Sequence, residues 1–206
     1  MSAPPAASGP PITVANAPVS YGAFEITIGH DPNVPDGISV LDQVAAAGYA
    51  GIDLGPVGYL GPRGQLGELL AERGLGLAGG YLELPYADHD ALESAMGELD
   101  ALLSAFDMAC PYLPGPPPRP TLADAGSPQR RSRPGRSDIG LCLETGHMMM
   151  GGGDLDVDAI LDGLRSIAFS GWLVVEQDIL PRSVERFARA AEEQRHNRAF
   201  LSQRGI

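Results

Sequence analysis

The chain has 206 residues and a mass of 21.5 kDa, which suits a single domain with appendages. Hydrophobic residues make up 44% and charged residues 19%, a balance that permits a sizeable core and excludes global disorder. No run of 18 apolar residues occurs, so no membrane-spanning helix is expected. The 26 acidic residues outnumber the 14 basic ones for a net charge of −12. All the basic residues are Arg, which excludes Schiff-base lysine chemistry and a P-loop lysine. The acidity also argues against a nucleic-acid partner.

Residues 1–11 (MSAPPAASGPP) lack both positive charge and an apolar stretch. They are expected to be a disordered tail rather than a signal peptide, with the protein cytoplasmic. A short apolar strand is expected over 12–17, then a Gly/Pro-rich loop holding Tyr21, Phe24, Glu25, His30 and Asp31. Asp36 precedes a helical pattern with Val40, Leu41, Val44 and Ala47 at helical spacing, and Gly48 closes it. Residues 51–55 read as a second buried strand, 65–73 as a short helix and 75–84 as a third strand. Residues 87–109 are predicted to be a helix, apolar at Leu92, Met96, Leu99, Leu102, Leu103 and Phe106.

The pattern breaks at 114–137, PGPPPRPTLADAGSPQRRSRPGRS. With seven prolines and hardly an apolar residue, it reads as a linker between a first part (12–113) and a second part (138–206). Order is expected again in a strand over 139–143 that ends at Glu144 and His147. A glycine-rich loop follows, and Asp154 or Asp156 is placed to cap a helix carrying Val157, Ile160, Leu161, Leu164 and Ile167. A last strand, 172–175, ends at Glu176 and Asp178. The final helix is predicted over about 182–200, with Val184, Phe187, Ala188 and Ala191 inward and Glu185 paired with Arg189. Cys110 and Cys142 are too few and too far apart for a disulfide framework, and read as buried free thiols.

One internal echo points to architecture. Leu41-Asp42-x-Val44 with Tyr49-x-Gly51 matches Leu161-Asp162-x-Leu164 with Phe169-x-Gly171, each leading into an apolar strand. Repeated βα units on a parallel sheet follow from this. About 170 residues outside tail and linker hold five or six such units, fewer than the eight of a closed barrel. The expected fold is therefore α/β, either an open sheet or an incomplete (β/α) barrel.

Three polar clusters fall at expected C-terminal strand ends, where such folds build sites. These are Glu144 with His147, Glu176 with Asp178, and Tyr81 with Glu83. Carboxylates and one imidazole converging there suit a divalent ion such as Mn²⁺, Mg²⁺ or Co²⁺. That ion would hold adjacent hydroxyls of a polyol while a carboxylate moves a proton.

Four segments carry a resemblance: NAPVSYGAFE (16–25), GYAGIDLG (48–55), LCLETGH (141–147) and GWLVVEQD (171–178). Together they resemble the sugar phosphate isomerase/epimerase family, the xylose-isomerase-like barrels that include inosose dehydratases. The resemblance covers about 12–113 and 138–203. It implies an eight-stranded barrel, a divalent metal (Mn, Co or Mg) and enediolate proton transfer on a small sugar, polyol or ketose. By motif, Glu144 and Glu176 match metal-binding and catalytic carboxylates, and His147 matches a substrate-contacting histidine. Glu25 and Glu83 are further candidate substrate contacts. Two of the family's four ligands have no counterpart: the first Glu would fall in the Pro/Arg stretch, and the His-x-His strand is missing after Gly153. The alternatives are an inosose-dehydratase-like lyase and a non-catalytic α/β scaffold, whose exposed sheet edges would favour a homo-oligomer.

Overall fold

The computed structural model describes residues 12–125 and 156–206. The expected tail, Cys142, Glu144, His147, Asp154 and the strand over 139–143 lie outside those residues. The described elements in chain order begin with β1 (Thr13–Asn16), a 3-10 turn (Pro18–Tyr21), α1 (Gly37–Ala46), β2 (Gly51–Ile52) and α2 (Arg63–Ala71). Next come β3 (Gly76–Leu77), β4 (Gly79–Leu84), α3 (His89–Ala109) and β5 (Arg119–Asp124). The order ends with α4 (Val157–Ser166), β6 (Trp172–Val175) and α5 (Val184–Ser202).

The fold is α/β with parallel strands. One sheet runs β3-β2-β1-β6 and a second pairs β4 with β5. The strand expected over 75–84 is interrupted at Ala78, giving β3 and β4. Backbone hydrogen bonds nevertheless carry across the joint: Ala78 N to Ile52 O (2.9 Å), Leu54 N to Gly79 O (2.8 Å) and Arg119 N to Ala78 O (3.2 Å).

β5 corrects the expectation of a linker over 114–137. Six residues of that stretch pair with β4 in continuous register, Gly79 with Arg119 through Leu84 with Asp124. The side chains of β5 are no more than half-buried, so composition carries little signal of it, and backbone pairing holds the strand. Among the described residues β5 has a neighbour on one side only, and an edge strand tolerates a residue without N–H such as Pro120.

The echoed units are alike down to their hydrogen bonds. Asp36 accepts from Ser39 N at 2.9 Å, and Asp156 accepts from Ala159 N at 2.9 Å. Both helices therefore start with the same cap, and of the two aspartates weighed it is Asp156 that serves. At the other end Gly48 has φ +84° and Ala168, 120 positions later, φ +50°. Tyr49 N then reaches Val44 O, and Phe169 N reaches Leu164 O, the hydrogen bond that closes a Schellman-type turn.

Alternate strand residues face opposite sides of the sheet. Val14, Ile52, Leu77, Leu173 and Val175 join the helix-packed core with Val40, Leu41, Val44, Leu70, Leu102 and Phe106. The other side is lined by small residues. Trp172 lies across it, so that a Cβ on Gly51 or Gly76 would come within 2.6 or 2.7 Å of the indole. The indole Nε1 donates to Pro116 O at 2.9 Å, fastening the proline-rich segment beneath the sheet.

The final helix starts at Val184, and its buried residues are Ala190, Ala191, Gln194 and Leu201. Val184 is 74% exposed and Ala188 is also exposed, against the expected inward face. The docked stripe follows contacts with β1 and the Tyr21 turn, which local periodicity does not register. Arg189 pairs with Glu193 (3.0 Å), which Arg186 also holds at 3.0 Å, rather than with Glu185. Cys110 is half-buried instead of buried.

Candidate active site

The C-terminal ends of the parallel strands collect acidic side chains. Register fixes two of them. Asn16 of β1 is level with Ile52 on one side and Val175 on the other. Asp53 and Glu176 therefore each lie one residue beyond that rung, flanking Ala17. Glu176 follows the half-buried strand β6 and keeps solvent access, while the surrounding strand ends desolvate its carboxyl. Burial first, then the charges of Asp53 and Asp178, push it up to about 7. Asp53 is raised as well, by burial and by Glu25, against the opposing effect of its 2.9 Å bond from Gly55 N.

Glu25 opens the next turn, over 25–30, beyond the 3-10 turn. Thr27 shapes that turn by donating to Gly22 O (2.7 Å) and accepting from Phe24 N (2.9 Å). On β4, Tyr81 and Glu83 share a face, and the phenol donates to Glu83 Oε1 at 2.7 Å. Desolvation, this bond and the charges of Glu83 and Glu25 push Tyr81 up to about 12.

Of the expected site residues, Glu176 feels the charge of Asp178, while Glu25 acts on Asp53 and on Tyr81, whose phenol bonds Glu83. Glu144 and His147 lie outside the described residues. Asp53 is not among the acids singled out as site residues, because it falls inside the strand expected over 51–55. The structure ends β2 at Ile52, so Asp53 follows its strand as Glu176 follows β6. Nothing in the sequence pointed to the polar support behind Glu176. There Gln194, fully buried on α5, accepts from Asn16 Nδ2 (2.9 Å) and donates to Gln177 Oε1 (3.0 Å).

The donor set is hard oxygen, and among the described residues no Arg pairs with Asp53 or Glu176. Both properties suit a divalent cation. Among the described residues, however, no group of three or more His, Cys, Asp or Glu stands close enough to hold a metal. The described carboxylates thus supply at most part of a coordination shell. Among the described residues no helix is long and apolar enough to cross a membrane. No protein-family model, curated protein or solved structure matches this chain.

Proposed function

We propose that this chain is a sugar isomerase/epimerase-type protein, moving a proton through an enediolate on a small polyol-derived ketose or aldose. Its sheet is read as an arc of a (β/α) barrel with fewer than eight strands. The strand order supports that reading, because the last described strand lies beside the first and the second and third follow in turn. Ring closure demands that order, which an open doubly wound sheet shows as well, so the choice of a barrel rests on the resemblance.

The observation that carries the function is Glu176: a strand-end carboxyl raised to about 7 by burial and by its acidic neighbours. Before any cation binds, a group titrating there both accepts and returns a proton near neutral pH. A divalent ion held by the same carboxyl would lower that value and leave it as the ionised base. Glu176 would take the proton from the hydroxyl-bearing carbon next to the substrate carbonyl. It would then return it to the neighbouring carbon for isomerisation, with the hydroxyl proton passing between the two substrate oxygens. Epimerisation would need a proton delivered to the opposite face of the same carbon by a second acid, which the resemblance would make Glu144. Glu25 and Glu83, acceptors when ionised, would receive hydrogen bonds from substrate hydroxyls. A divalent ion (Mn²⁺, Co²⁺ or Mg²⁺) held by Glu176 and, as the resemblance implies, by Glu144 would polarise the substrate oxygens and stabilise the developing negative charge.

Deuterium exchange tests this across many sugars at once. The protein is incubated in D₂O with Mn²⁺ and a panel of ketoses and aldoses, and label is read at the carbon beside the carbonyl. Incorporation by the wild type that disappears in Glu176→Gln is the expected result. No incorporation across the panel, or an undiminished rate in Glu176→Gln, overturns the proposal. A parallel thermal melt reads the metal: saturation to 100 times Kd adds about 2.7 kcal/mol to the native state. That gain is expected to be lost in Glu176→Gln.

A further inference from the structure

Glu176 is the residue between two peptide groups that one side chain reaches. Ser20, fully buried in the 3-10 turn after β1, accepts from Gln177 N at 2.9 Å. The same hydroxyl donates to Val175 O at a longer 3.5 Å. The residue after Glu176 is thus fastened to this oxygen, and the carbonyl of the residue before it lies in weaker contact with the same atom.

Gln177 is anchored in turn through its side chain. Its Oε1 accepts from Gln194 Nε2 (3.0 Å) and Asn197 Nδ2 (3.3 Å), and its Nε2 donates to Glu193 Oε2 (3.3 Å). Gln194 Oε1 continues the chain by accepting from Asn16 Nδ2, and Asn16 Oδ1 accepts from Ala17 N at 2.7 Å. Tyr49 Oη closes the far side on the Gln194 carbonyl at 3.0 Å. Asn16, Ser20 and Gln194 are all fully buried.

A helix–sheet contact needed only for stability is ordinarily apolar, because buried polar groups must be fully satisfied to break even. This network is satisfied, and it lies at the strand ends that carry the acidic groups. Resting on the proton-transfer reading of Glu176, we infer that Ser20 is a positioning residue for Glu176, its hydroxyl holding the Gln177 peptide and touching the Val175 carbonyl while the Asn16–Gln194–Gln177 amides keep that contact in place. Ser20 makes no contact with substrate in this role. It acts by keeping the carboxyl from swinging, and small displacements of a reacting group cost heavily in rate.

The test compares Ser20→Ala with Val44→Ala, a core truncation on α1 away from the strand ends, in the full chain. The first readout is ¹⁵N relaxation at the Glu176 and Gln177 amides, and the second is the deuterium-exchange kinetics. Ser20→Ala is expected to give exchange broadening at those two amides and about a 10–100-fold lower kcat with KM little changed. Ser20→Thr, which keeps the hydroxyl, is expected to recover much of the loss. Val44→Ala should lower Tm yet leave both readouts near wild type. The inference is overturned if the amides in Ser20→Ala stay as ordered as in wild type, or if Ser20→Ala and Val44→Ala slow exchange equally. If the wild type itself exchanges no deuterium, it is the proton-transfer reading that fails. The relaxation data then decide by themselves whether Ser20 holds Glu176.

Discussion

The unit from Asp36 to Ile52 and the unit from Asp156 to Val175 share a cap, a ten-residue helix, a left-handed turn residue and an ensuing parallel strand. They flank β1 on opposite sides, yet they differ in depth. In the first, Val40, Leu41 and Val44 are fully buried, whereas in the second helix only Leu161 is buried and Ile167 is 71% exposed. The strands differ also. Gly51 leaves room beneath the sheet, and Trp172 fills the room that Gly51 and Gly76 leave. Local pattern therefore sets the shape of a unit, and neighbours set how much of it is buried. The first unit bears the packing, and the second delivers the indole and Glu176.

Truncating the two helices should break the symmetry most visibly. Leu41→Ala is expected near the upper end of the range for such cavities, about 2–5 kcal/mol, and Leu161→Ala near the lower end. The surroundings of Leu161 are more exposed and collapse more readily. Urea unfolding of both variants measures the gap, and equal losses would dissolve the distinction in depth.

The next effect concerns the strands. Gly51→Ala places a methyl 2.6 Å from the Trp172 ring and 2.9 Å from Gly76 O, which should destabilise by about 1–3 kcal/mol. Combined with Trp172→Leu, which removes the obstructing ring, the double mutant should fall short of the summed losses in a thermodynamic cycle. Simple additivity would show that the indole does not set the fit.

A smaller effect follows from Glu176. Its pKa is raised in the folded state, so the ionised form is the one that folding disfavours. The penalty is absent below the unfolded value near 4.5, grows as pH rises, and is complete above about 7. Glu176→Gln should therefore raise Tm at pH 8 and leave it unchanged at pH 4. Solvent access holds the gain to about 1 kcal/mol. A gain at pH 4 instead would reverse the electrostatic assignment.

The smallest expected change compares the turn residues. Gly48 and Ala168 both have positive φ, a conformation that favours glycine. Ala168→Gly should stabilise by about 0.5 kcal/mol and Gly48→Ala should destabilise by about 1 kcal/mol. Differential scanning calorimetry of the pair reads the opposite signs directly.

How much of this was legible in the chain can be judged from these same elements. The helices, the Asp36 cap and the strand before Glu176 follow from spacing and capping chemistry that act within a few residues. The acid following β6 was legible for the same reason, as was the pairing of Tyr81 with Glu83 two residues apart on one strand face. β5 was not legible, because its partner lies 40 positions earlier in register and its stabilisation is mostly backbone pairing. The exposed Val184 and Ala188, and the Arg189–Glu193 pair, show the same limit on α5.

By itself, then, the sequence determined that these helices exist, to within about two residues of their starts, and that an acid follows the strand 172–175, since those choices depend on local sterics and hydrogen bonds. Only the tertiary structure decided that Asp53 and Glu176 flank the same β1 rung. It alone also decided that Trp172 covers glycines from two other strands, and that Ser20 reaches the peptides around a residue 156 positions away. Such contacts depend on register and docking between distant segments, and no local pattern encodes them.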